Sequence, residues 1–278
     1  MDSLVDVDWL VTHLHDDDLV VLDCSVVIEM GEGGMTTISG RGRFDEGHIP
    51  GAAFADLIVD LSDTDEPIGF AVPTPEQFAD AMAQLGVGDD SSVVLYDTTG
   101  SMWASRVWWM LRSIGFDAAA LLDGGLPAWT AAGHPLSVDP PSPTPAVLTP
   151  RPRPGLIADR DEVLAAIDDA GVRLIDTLPG AHFRGEMSLY ERPGHIPGAE
   201  SIPMFEVVGD SGRVATPAEV TATHGDDLDR RAITYCGGGI AASLSAFAMV
   251  RAGYSDVAVY TASLQEWAAD PALPLVAV

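Results

Sequence analysis

The sequence predicts an α/β protein made of two tandem domains, each a mainly parallel sheet flanked by helices. Two observations lead to this prediction. Short apolar strands alternate with helical segments along the 278 residues, which is the pattern of parallel sheets with helical crossovers. The second half of the chain also repeats the motifs of the first half in the same order, and such a repeat indicates two copies of one structural unit.

Helix and strand signals follow one another regularly in the first half. Asp6 is a capping residue before a helix at 7–14, and Thr74 opens a capping box before a helix at 75–85. The glycine-rich stretch from 31 to 42 is expected to be irregular. Further elements are strands at 19–24, 92–97 and 119–122, a helix within 100–112, and a short helix that starts within 123–129.

Proline marks the boundary between the two halves. Seven of the fifteen residues from 140 to 154 are Pro, a composition typical of extended, semi-rigid linkers. We therefore expect an N-terminal domain at 1–139, a linker at 140–154 and a C-terminal domain at 155–278.

The C-terminal half repeats the signals of the N-terminal half. The hexapeptide Gly-His-Ile-Pro-Gly-Ala occurs at 47–52 and again at 194–199, and the capping box at Thr74 recurs at Thr216. Because His48 and His195 hold the same place in both copies, we interpret both as structural. The corresponding elements are a helix at 159–170, strands at 172–176, 233–236 and 257–260, and a helix that ends at Arg251.

The stretch from 232 to 243 indicates a strand, a tight loop and a helix, with Cys236 at the end of the strand. The loop and first helical turn consist of Gly237, Gly238, Gly239, Ile240, Ala241 and Ala242. Ligands of open α/β sheets bind at this edge, and N–H groups at a helix N-terminus stabilise anions, including a thiolate. We therefore predict a nucleophilic Cys236 held by this loop. A buried cysteine beside a glycine turn is the alternative.

The repeat assigns this chemistry to one domain. Asp97 stands in the N-terminal half where Cys236 stands in the C-terminal half, and a carboxylate cannot act as a thiolate. We expect the N-terminal domain to be catalytically inactive, and we expect Cys24, which has no glycine loop, to be a packed core residue.

Composition excludes several functions. The net charge is −28 and all 14 basic residues are Arg, so nucleic acid and anionic membranes are poor partners. Neither an apolar run of membrane-span length nor a secretory signal is visible. Two cysteines are too few for a disulfide framework, which favours a cytoplasmic location. We expect no metal and no cofactor, because Cys236 lacks neighbouring His or Cys ligands.

Four motifs stand out along the chain: the hexapeptide in its two copies, Ser-Arg-Val-Trp-Trp at 105–109, Leu-Asp-Gly-Gly-Leu-Pro-Ala-Trp at 122–129, and Cys-Gly-Gly-Gly-Ile-Ala-Ala at 236–242. Together they resemble the tandem-domain rhodanese family, the thiosulfate and 3-mercaptopyruvate sulfurtransferases. The resemblance covers nearly the whole chain. It implies two rhodanese-like domains and transfer of a sulfane sulfur from thiosulfate or 3-mercaptopyruvate, through a Cys236 persulfide, to a thiophilic acceptor such as cyanide or a thiol.

The resemblance also implies Arg residues that bind the anionic donor. His182 stands where the family usually has Arg, so Arg184 is the nearest replacement and Arg192 a second candidate; surface solvation is the alternative for both Arg residues. Arg106 is a third candidate, with a structural pairing at the domain interface as its alternative. Because the glycine loop has no basic side chain, we expect both donors to react and mercaptopyruvate to be the better one.

Two other functions remain open at this point. A persulfide carrier or regulatory binding module would share the fold and the loop. A cysteine phosphatase of the same fold needs an Arg at the end of the loop, where this chain has Ala241 to Leu244 and no Arg before Arg251; we therefore expect phosphatase activity to be absent.

Overall fold

The computed structural model describes residues 1–31, 34–209 and 211–277. They form two compact α/β units, and each unit contains a five-stranded sheet whose strand pairs are all parallel. This confirms the predicted fold class. The units are Met1–Arg153 with Ser211–Arg213, and Pro154–Asp210 with Val214–Val278.

The first unit begins with a short strand and a short helix. Its elements are β1 (Leu4–Val5), α1 (Val7–His13), β2 (Leu19–Asp23), β3 (Val26–Gly31), β4 (Gly34–Ser39), α2 (Arg41–Glu46), β5 (Ala53–Phe54), α3 (Pro75–Gln84), β6 (Ser92–Tyr96), α4 (Met102–Ser113), β7 (Ala119–Leu122) and α5 (Gly125–Ala131). The sheet order is β1-β7-β6-β2-β5, so β6 is the central strand.

The second unit has the same order of sheet strands. Its elements are β8 (Ile157–Ala158), α6 (Arg160–Ala166), β9 (Val172–Asp176), α7 (Gly180–Phe183), β10 (Glu200–Ser201), a 3-10 helix (Met204–Glu206), α8 (Pro217–His224), β11 (Arg231–Tyr235), α9 (Ile240–Arg251), β12 (Val257–Tyr260) and α10 (Ser263–Trp267). The sheet order is β10-β9-β11-β12-β8. The central strand β11 therefore corresponds to β6 of the first unit.

The glycine-rich stretch that we expected to be irregular is mostly ordered, so that expectation is wrong for its described part. Strands β3 and β4 form an antiparallel hairpin in which Met30 lies opposite Met35 and Gly31 opposite Gly34. The β-branched run from Thr36 to Ile38 favours a strand, and this preference outweighs the flanking glycines. Residues 32 and 33 of the stretch lie outside the described residues.

Capping side chains fix the starts of the helices where the sequence indicated them. The carboxylate of Asp6 accepts the N–H of Trp9 at 2.8 Å, and capping boxes form at Thr74 and Thr216. Each cap contributes about 1 kcal/mol. The helix predicted at 159–170 ends earlier, at Ala166, and is followed by a turn.

The core of the second unit holds β11 in a fixed position. Val163 of α6 and Trp267 of α10 are fully buried and pack in one cluster with Ile233 and Tyr235 of β11. Burial of side chains of this size stabilises the fold by about 1.5–3 kcal/mol each. Alternate residues of β11 point to the opposite face of the sheet, where α9 packs on β11 and β12. The end of β11, where Cys236 follows, is thus rigidly placed.

The proline-rich segment at 140–154, all of which the structure describes, contains neither helix nor strand. Backbone hydrogen bonds nevertheless attach it to the first unit. Ala146 donates to the carbonyl of Ala83 at 3.0 Å, and Arg151 donates to the carbonyl of Ile114 at 2.6 Å. We retain this segment as the proposed linker, and the division between the two compact units falls at its C-terminal end.

Candidate active site

The structure places Cys236 directly after the central strand β11 of the second unit, and the residue is only 3% exposed. Hydrogen bonds hold its backbone on both sides. Its N–H donates to the hydroxyl of Ser263 at 3.1 Å, and its carbonyl accepts the N–H of Leu264 at 3.1 Å. The backbone of Cys236, from which the thiol projects, is therefore fixed at the carboxyl edge of the sheet.

A backbone N–H group of the glycine loop contacts the sulfur of Cys236. The N–H of Gly239 donates to Sγ at 3.1 Å, and Gly239 can aim it there because its φ of +79° lies in the left-handed region that glycine adopts readily. Helix α9 starts at the next residue, so the N–H groups of Ile240, Ala241 and Ala242 have no carbonyl partner within the helix. These groups favour negative charge at the sulfur and just beyond it.

The corresponding loop of the first unit shows what such a cradle binds. There Asp97 is fully buried, and its Oδ1 accepts the N–H groups of Thr99 and Ser101 at 2.7 and 3.0 Å. Its Oδ2 accepts those of Trp103 and Ala104 at 2.8 and 3.0 Å. The Asp97 carboxylate thus occupies the anion-binding site that the N–H groups of its own loop form. Burial raises the pKa of Asp97, while these four N–H groups act in the opposite direction.

The two loops also differ in length. Left-handed residues precede both helices, Ser101 in the first unit and Gly239 in the second. Three residues separate Asp97 from Ser101, whereas only Gly237 and Gly238 separate Cys236 from Gly239. The shorter loop brings the helix N-terminus closer along the chain to the functional side chain, and its N–H groups face a sulfur rather than a carboxylate.

The two glycines that follow Cys236 allow close approach by other side chains. A Cβ on Gly237 would lie 3.0 Å from the hydroxyl of Tyr190, and a Cβ on Gly238 would lie 3.4 Å from Nε2 of Gln265. A side chain at Gly237 would therefore displace Tyr190. The loop is closely covered by these neighbours.

Family comparisons agree with this geometry. The rhodanese-like domain family matches residues 6–132 and again residues 159–270. This chain belongs to the rhodanese family. A probable 3-mercaptopyruvate sulfurtransferase from Pseudomonas aeruginosa is 34% identical over 98% of this chain and 97% of the relative. The thiosulfate sulfurtransferase of Gallus gallus is 33% identical over 82% of this chain and 80% of the relative.

A solved structure has a similar fold. The crystal structure of SseA from Escherichia coli, described as a 3-mercaptopyruvate sulfotransferase, superposes with a TM-score of 0.84. It shares 30% sequence identity and covers 95% of this chain and 99% of its own. The fold and the family of this rhodanese are therefore established together.

The Arg candidates of this rhodanese make different contacts. Arg184 is exposed, and its guanidinium donates to both carboxylate oxygens of Glu186 at 2.8 Å. Arg192 donates to the carbonyls of Asp270 and Leu273 at 2.5 and 2.6 Å. Of the two, Arg184 keeps an accessible charge, whereas Arg192 fastens the C-terminal segment.

The other two substrate-binding candidates lie in different places. His182 is half-buried in α7, the helix that precedes the segment carrying Tyr190. Arg106 is fully buried in α4 of the first unit, and one of its Nη atoms donates to the carbonyl of Phe70 at 2.8 Å. This hydrogen bond joins α4 to the segment around Phe70 within the first unit.

The two cysteines have different surroundings. Cys24 is fully buried after β2 of the first unit. Burial raises the pKa of the Cys24 thiol well above its usual range, and the charges of Asp23 and Asp97 raise it further. Such a thiol is protonated and unreactive at neutral pH, which agrees with its interpretation as a packed core residue.

The repeated histidines have matching structural contacts. The ring of His48 stacks on Phe44 with 3.9 Å between the ring centres, and Nδ1 lies 2.9 Å from the Phe44 carbonyl. The ring of His195 stacks on Phe183 at 3.5 Å and lies 2.6 Å from the Phe183 carbonyl. The same packing in both units supports a structural role for both.

Two contributors to the site were not found from the sequence. Ser263 anchors Cys236 from 27 residues away, and it corresponds to Gly125 of the first unit, which also has a positive φ. A serine in the repeat at a glycine position was the available signal. Tyr190 offered no local signal, because only the folded chain brings it to Gly237.

The described part of this rhodanese shows neither a cation site nor a membrane segment. Within these residues, no group of three or more His, Cys, Asp or Glu side chains could hold a metal ion. Likewise, none of the helices in the described ranges is long and apolar enough to cross a bilayer.

Proposed function

We propose that this protein is a sulfurtransferase that carries a sulfane sulfur as a persulfide on Cys236. The observation that carries the proposal is the Sγ of Cys236 at a helix N-terminus, with the Gly239 N–H 3.1 Å away. Membership of the rhodanese family and the names of the relatives support the same reaction class. The substrates are a small anionic sulfur donor and a thiophilic acceptor.

The reaction proceeds in two displacements. The Cys236 thiolate attacks the outer sulfur of the donor, a new S–S bond forms, and the bond that held this sulfur in the donor breaks. Its electron pair leaves on sulfite when the donor is thiosulfate, and on the enolate of pyruvate when the donor is 3-mercaptopyruvate. Cyanide or a thiolate then attacks the outer sulfur of the persulfide, and the Cys236 thiolate is regenerated.

The loop stabilises the anions of both steps. Gly239 donates to Sγ, and the N–H groups of Ile240, Ala241 and Ala242 lie at the start of α9, where negative charge is favoured. The four N–H groups that hold Asp97 in the first unit support this assignment, since they bind a buried anion in an equivalent loop.

The first unit serves as a non-catalytic domain in this proposal. Asp97 occupies its cradle, and Cys24 is buried with a raised pKa. The two free cysteines of the chain fit a reducing compartment such as the cytoplasm. We keep 1–139, 140–154 and 155–278 as the proposed functional division of the chain.

Mercaptopyruvate is the better donor in this proposal, although both donors react. Gly237, Gly238 and Gly239 carry no basic side chain to hold the second charge of thiosulfate. A tenfold advantage in kcat/KM corresponds to about 1.4 kcal/mol of transition-state stabilisation. Steady-state kinetics with each donor and cyanide as the common acceptor test the preference, and a tenfold advantage for thiosulfate would contradict it.

A phosphatase activity has little support from the loop. A phosphate-binding loop of this kind needs a guanidinium near the helix N-terminus, but the first Arg of α9 is its last residue, Arg251. Arg251 lies eleven helical steps beyond Ile240, a distance of about 16 Å along the axis. Hydrolysis of an aryl phosphate at a rate comparable to sulfur transfer would reverse this conclusion.

A mass measurement tests the central step. Incubation with either donor should add the mass of one sulfur atom to the chain, and the addition should be lost in Cys236→Ser and kept in Cys24→Ser. Thiocyanate formation from cyanide should follow the same pattern. A persulfide without turnover would favour the carrier alternative, and labelling at Cys24 would refute the assignment.

A further inference from the structure

The hydroxyl of Tyr190 lies over the start of the cysteine loop. It is 3.0 Å from the position that a Cβ would take on Gly237, and the Cδ1 of Leu189 is 3.3 Å from the same position. The Tyr190 ring is partly buried and packs against the core cluster of the second unit. A glycine at 237 is what leaves room for this hydroxyl beside Cys236.

The electrostatics also connect Tyr190 with Cys236. Burial raises the pKa of Tyr190, and negative charge on Cys236 raises it further. The phenol is therefore protonated at neutral pH and can act as a hydrogen-bond donor. Within the described residues its hydroxyl forms no hydrogen bond, since the contacts of Tyr190 with Ser188 use backbone atoms of Tyr190. A donor without a partner thus faces the cysteine loop.

Other hydroxyls near the loop already have acceptors. Ser263 donates to the carbonyl of Tyr260 at 2.7 Å, and Ser243 donates to the carbonyl of Gly239 at 2.7 Å. The loop residues from 237 to 242 bear no polar side chain. Tyr190 is therefore the best placed proton donor that we find among the described residues around Cys236.

Of the two sulfur donors, only 3-mercaptopyruvate requires a proton donor in the site. With 3-mercaptopyruvate, the C–S bond breaks and its electron pair remains on the three-carbon fragment as an enolate, which must gain a proton at carbon to become pyruvate. The thiol of the donor loses one proton as its sulfur becomes the outer sulfur of the persulfide anion, so the proton count balances. Thiosulfate releases sulfite, and no C–H bond forms.

We propose that the Tyr190 hydroxyl donates its proton to the carbon from which sulfur departs, in the enolate formed from 3-mercaptopyruvate. The hydroxyl then recovers the proton released from the thiol of this sulfur donor. The proposal rests on the sulfur-transfer function proposed above. It makes Tyr190 a catalytic residue for one donor, while for the other donor the same side chain is a wall of the site.

The test compares Tyr190→Phe with the native protein in single turnovers that follow persulfide formation on Cys236. Loss of the hydroxyl should slow the reaction with 3-mercaptopyruvate at least about tenfold, within the range that general acids contribute. The reaction with thiosulfate should change less than about twofold, because phenylalanine keeps the ring and its packing. Tyr254→Phe, which removes a hydroxyl from the loop contact with Gly225 in the same unit, should leave both rates unchanged.

Each other result has a definite meaning. An equal loss with both donors would show that Tyr190 shapes the site without acting on the enolate, and equal rates in variant and native protein would show that the hydroxyl is not used; either overturns the proposal. If the native protein forms no persulfide with either donor, the sulfurtransferase function itself fails, and the inference about Tyr190 falls with it. The native protein measured alone separates that failure from the failure of the Tyr190 proposal.

Discussion

The hydroxyl of Ser263 accepts the backbone N–H of Cys236 at 3.1 Å, from a serine whose own φ is +54°. The same hydroxyl donates to the carbonyl of Tyr260 at 2.7 Å. A non-glycine residue in this left-handed conformation costs roughly 1–2 kcal/mol. The fold accepts this cost at a fully buried residue, and the result is a fixed backbone for the nucleophile.

Replacement of Ser263 separates the hydrogen bond from the strain. Ser263→Ala should lose about 1–3 kcal/mol of unfolding free energy, because the buried N–H of Cys236 is left without its acceptor. Ser263→Gly loses the same acceptor but relieves the left-handed strain, so it should be more stable than the Ala variant by roughly 1–2 kcal/mol. Both variants should form the persulfide several-fold more slowly. Urea unfolding and single-turnover rates check these effects; equal stability of the two variants would remove the strain argument.

Asp97 should stabilise the first unit through its four N–H donors. In Asp97→Asn, the amide NH₂ group must face two of these donors, so two buried N–H groups lose their acceptor. We expect a loss of at least about 2 kcal/mol of unfolding free energy and faster hydrogen exchange at Trp103 and Ala104. The exposed Asp80→Asn is the matched control. Unchanged exchange at these two amides would show that the carboxylate does not hold the loop.

The sequence was sufficient for features that depend on neighbouring residues. The strand before Cys236, the glycines after it and the helix that follows are adjacent in the chain, and so are the capping boxes at Thr74 and Thr216. The duplication then indicates the two-domain fold, because the hexapeptide, the capping box and the order of strands and helices recur in the second half.

The sequence was insufficient where contacts join distant segments. Ser263 reaches Cys236 across 27 residues, and Arg192 reaches the carbonyl of Leu273 across 81. Neither Tyr190 nor Arg192 has neighbours that reveal such a contact. The hairpin β3–β4 differs from the sequence-based expectation for another reason: its glycines indicate an irregular segment, whereas the β-branched residues beside them favour a strand.

Arg184 and Arg192 should respond differently to removal. Arg184→Ala should raise KM for both donors roughly tenfold, because an accessible guanidinium is lost, without a measurable change in unfolding. Arg192→Ala should instead lower stability, since the carbonyls of Asp270 and Leu273 lose their donors. Glu186→Gln releases Arg184 from its ion pair and should lower KM. Unchanged KM in both Arg184→Ala and Glu186→Gln would exclude Arg184 from donor binding.

Asp176 should make the second unit less stable as the pH rises towards neutrality. This residue is fully buried at the end of β9, and burial raises its pKa to about 7, against smaller opposing effects of the Leu178 N–H and the Tyr235 hydroxyl. Among the residues that the structure describes, none forms a well-aligned hydrogen bond with its Oδ2. An unfolded aspartate has a pKa of about 3.9, so between these two values the native state holds a proton that the unfolded state has released. The stabilisation is complete below about pH 4 and is lost as the pH rises through about 7.

The neutral variant Asp176→Asn should therefore lack this pH dependence. Relative to it, the native protein should lose up to about 4 kcal/mol of unfolding free energy between pH 4 and pH 8, because a shift of one pKa unit corresponds to about 1.4 kcal/mol. Urea unfolding followed through amide signals of β9 and β11 reports on the second unit separately, and the exposed Asp168→Asn is the control. If the difference in unfolding free energy between the native protein and Asp176→Asn were constant across this range, the carboxyl group of Asp176 would titrate at its ordinary pKa. That result would contradict the prediction that the folded protein holds a proton on Asp176.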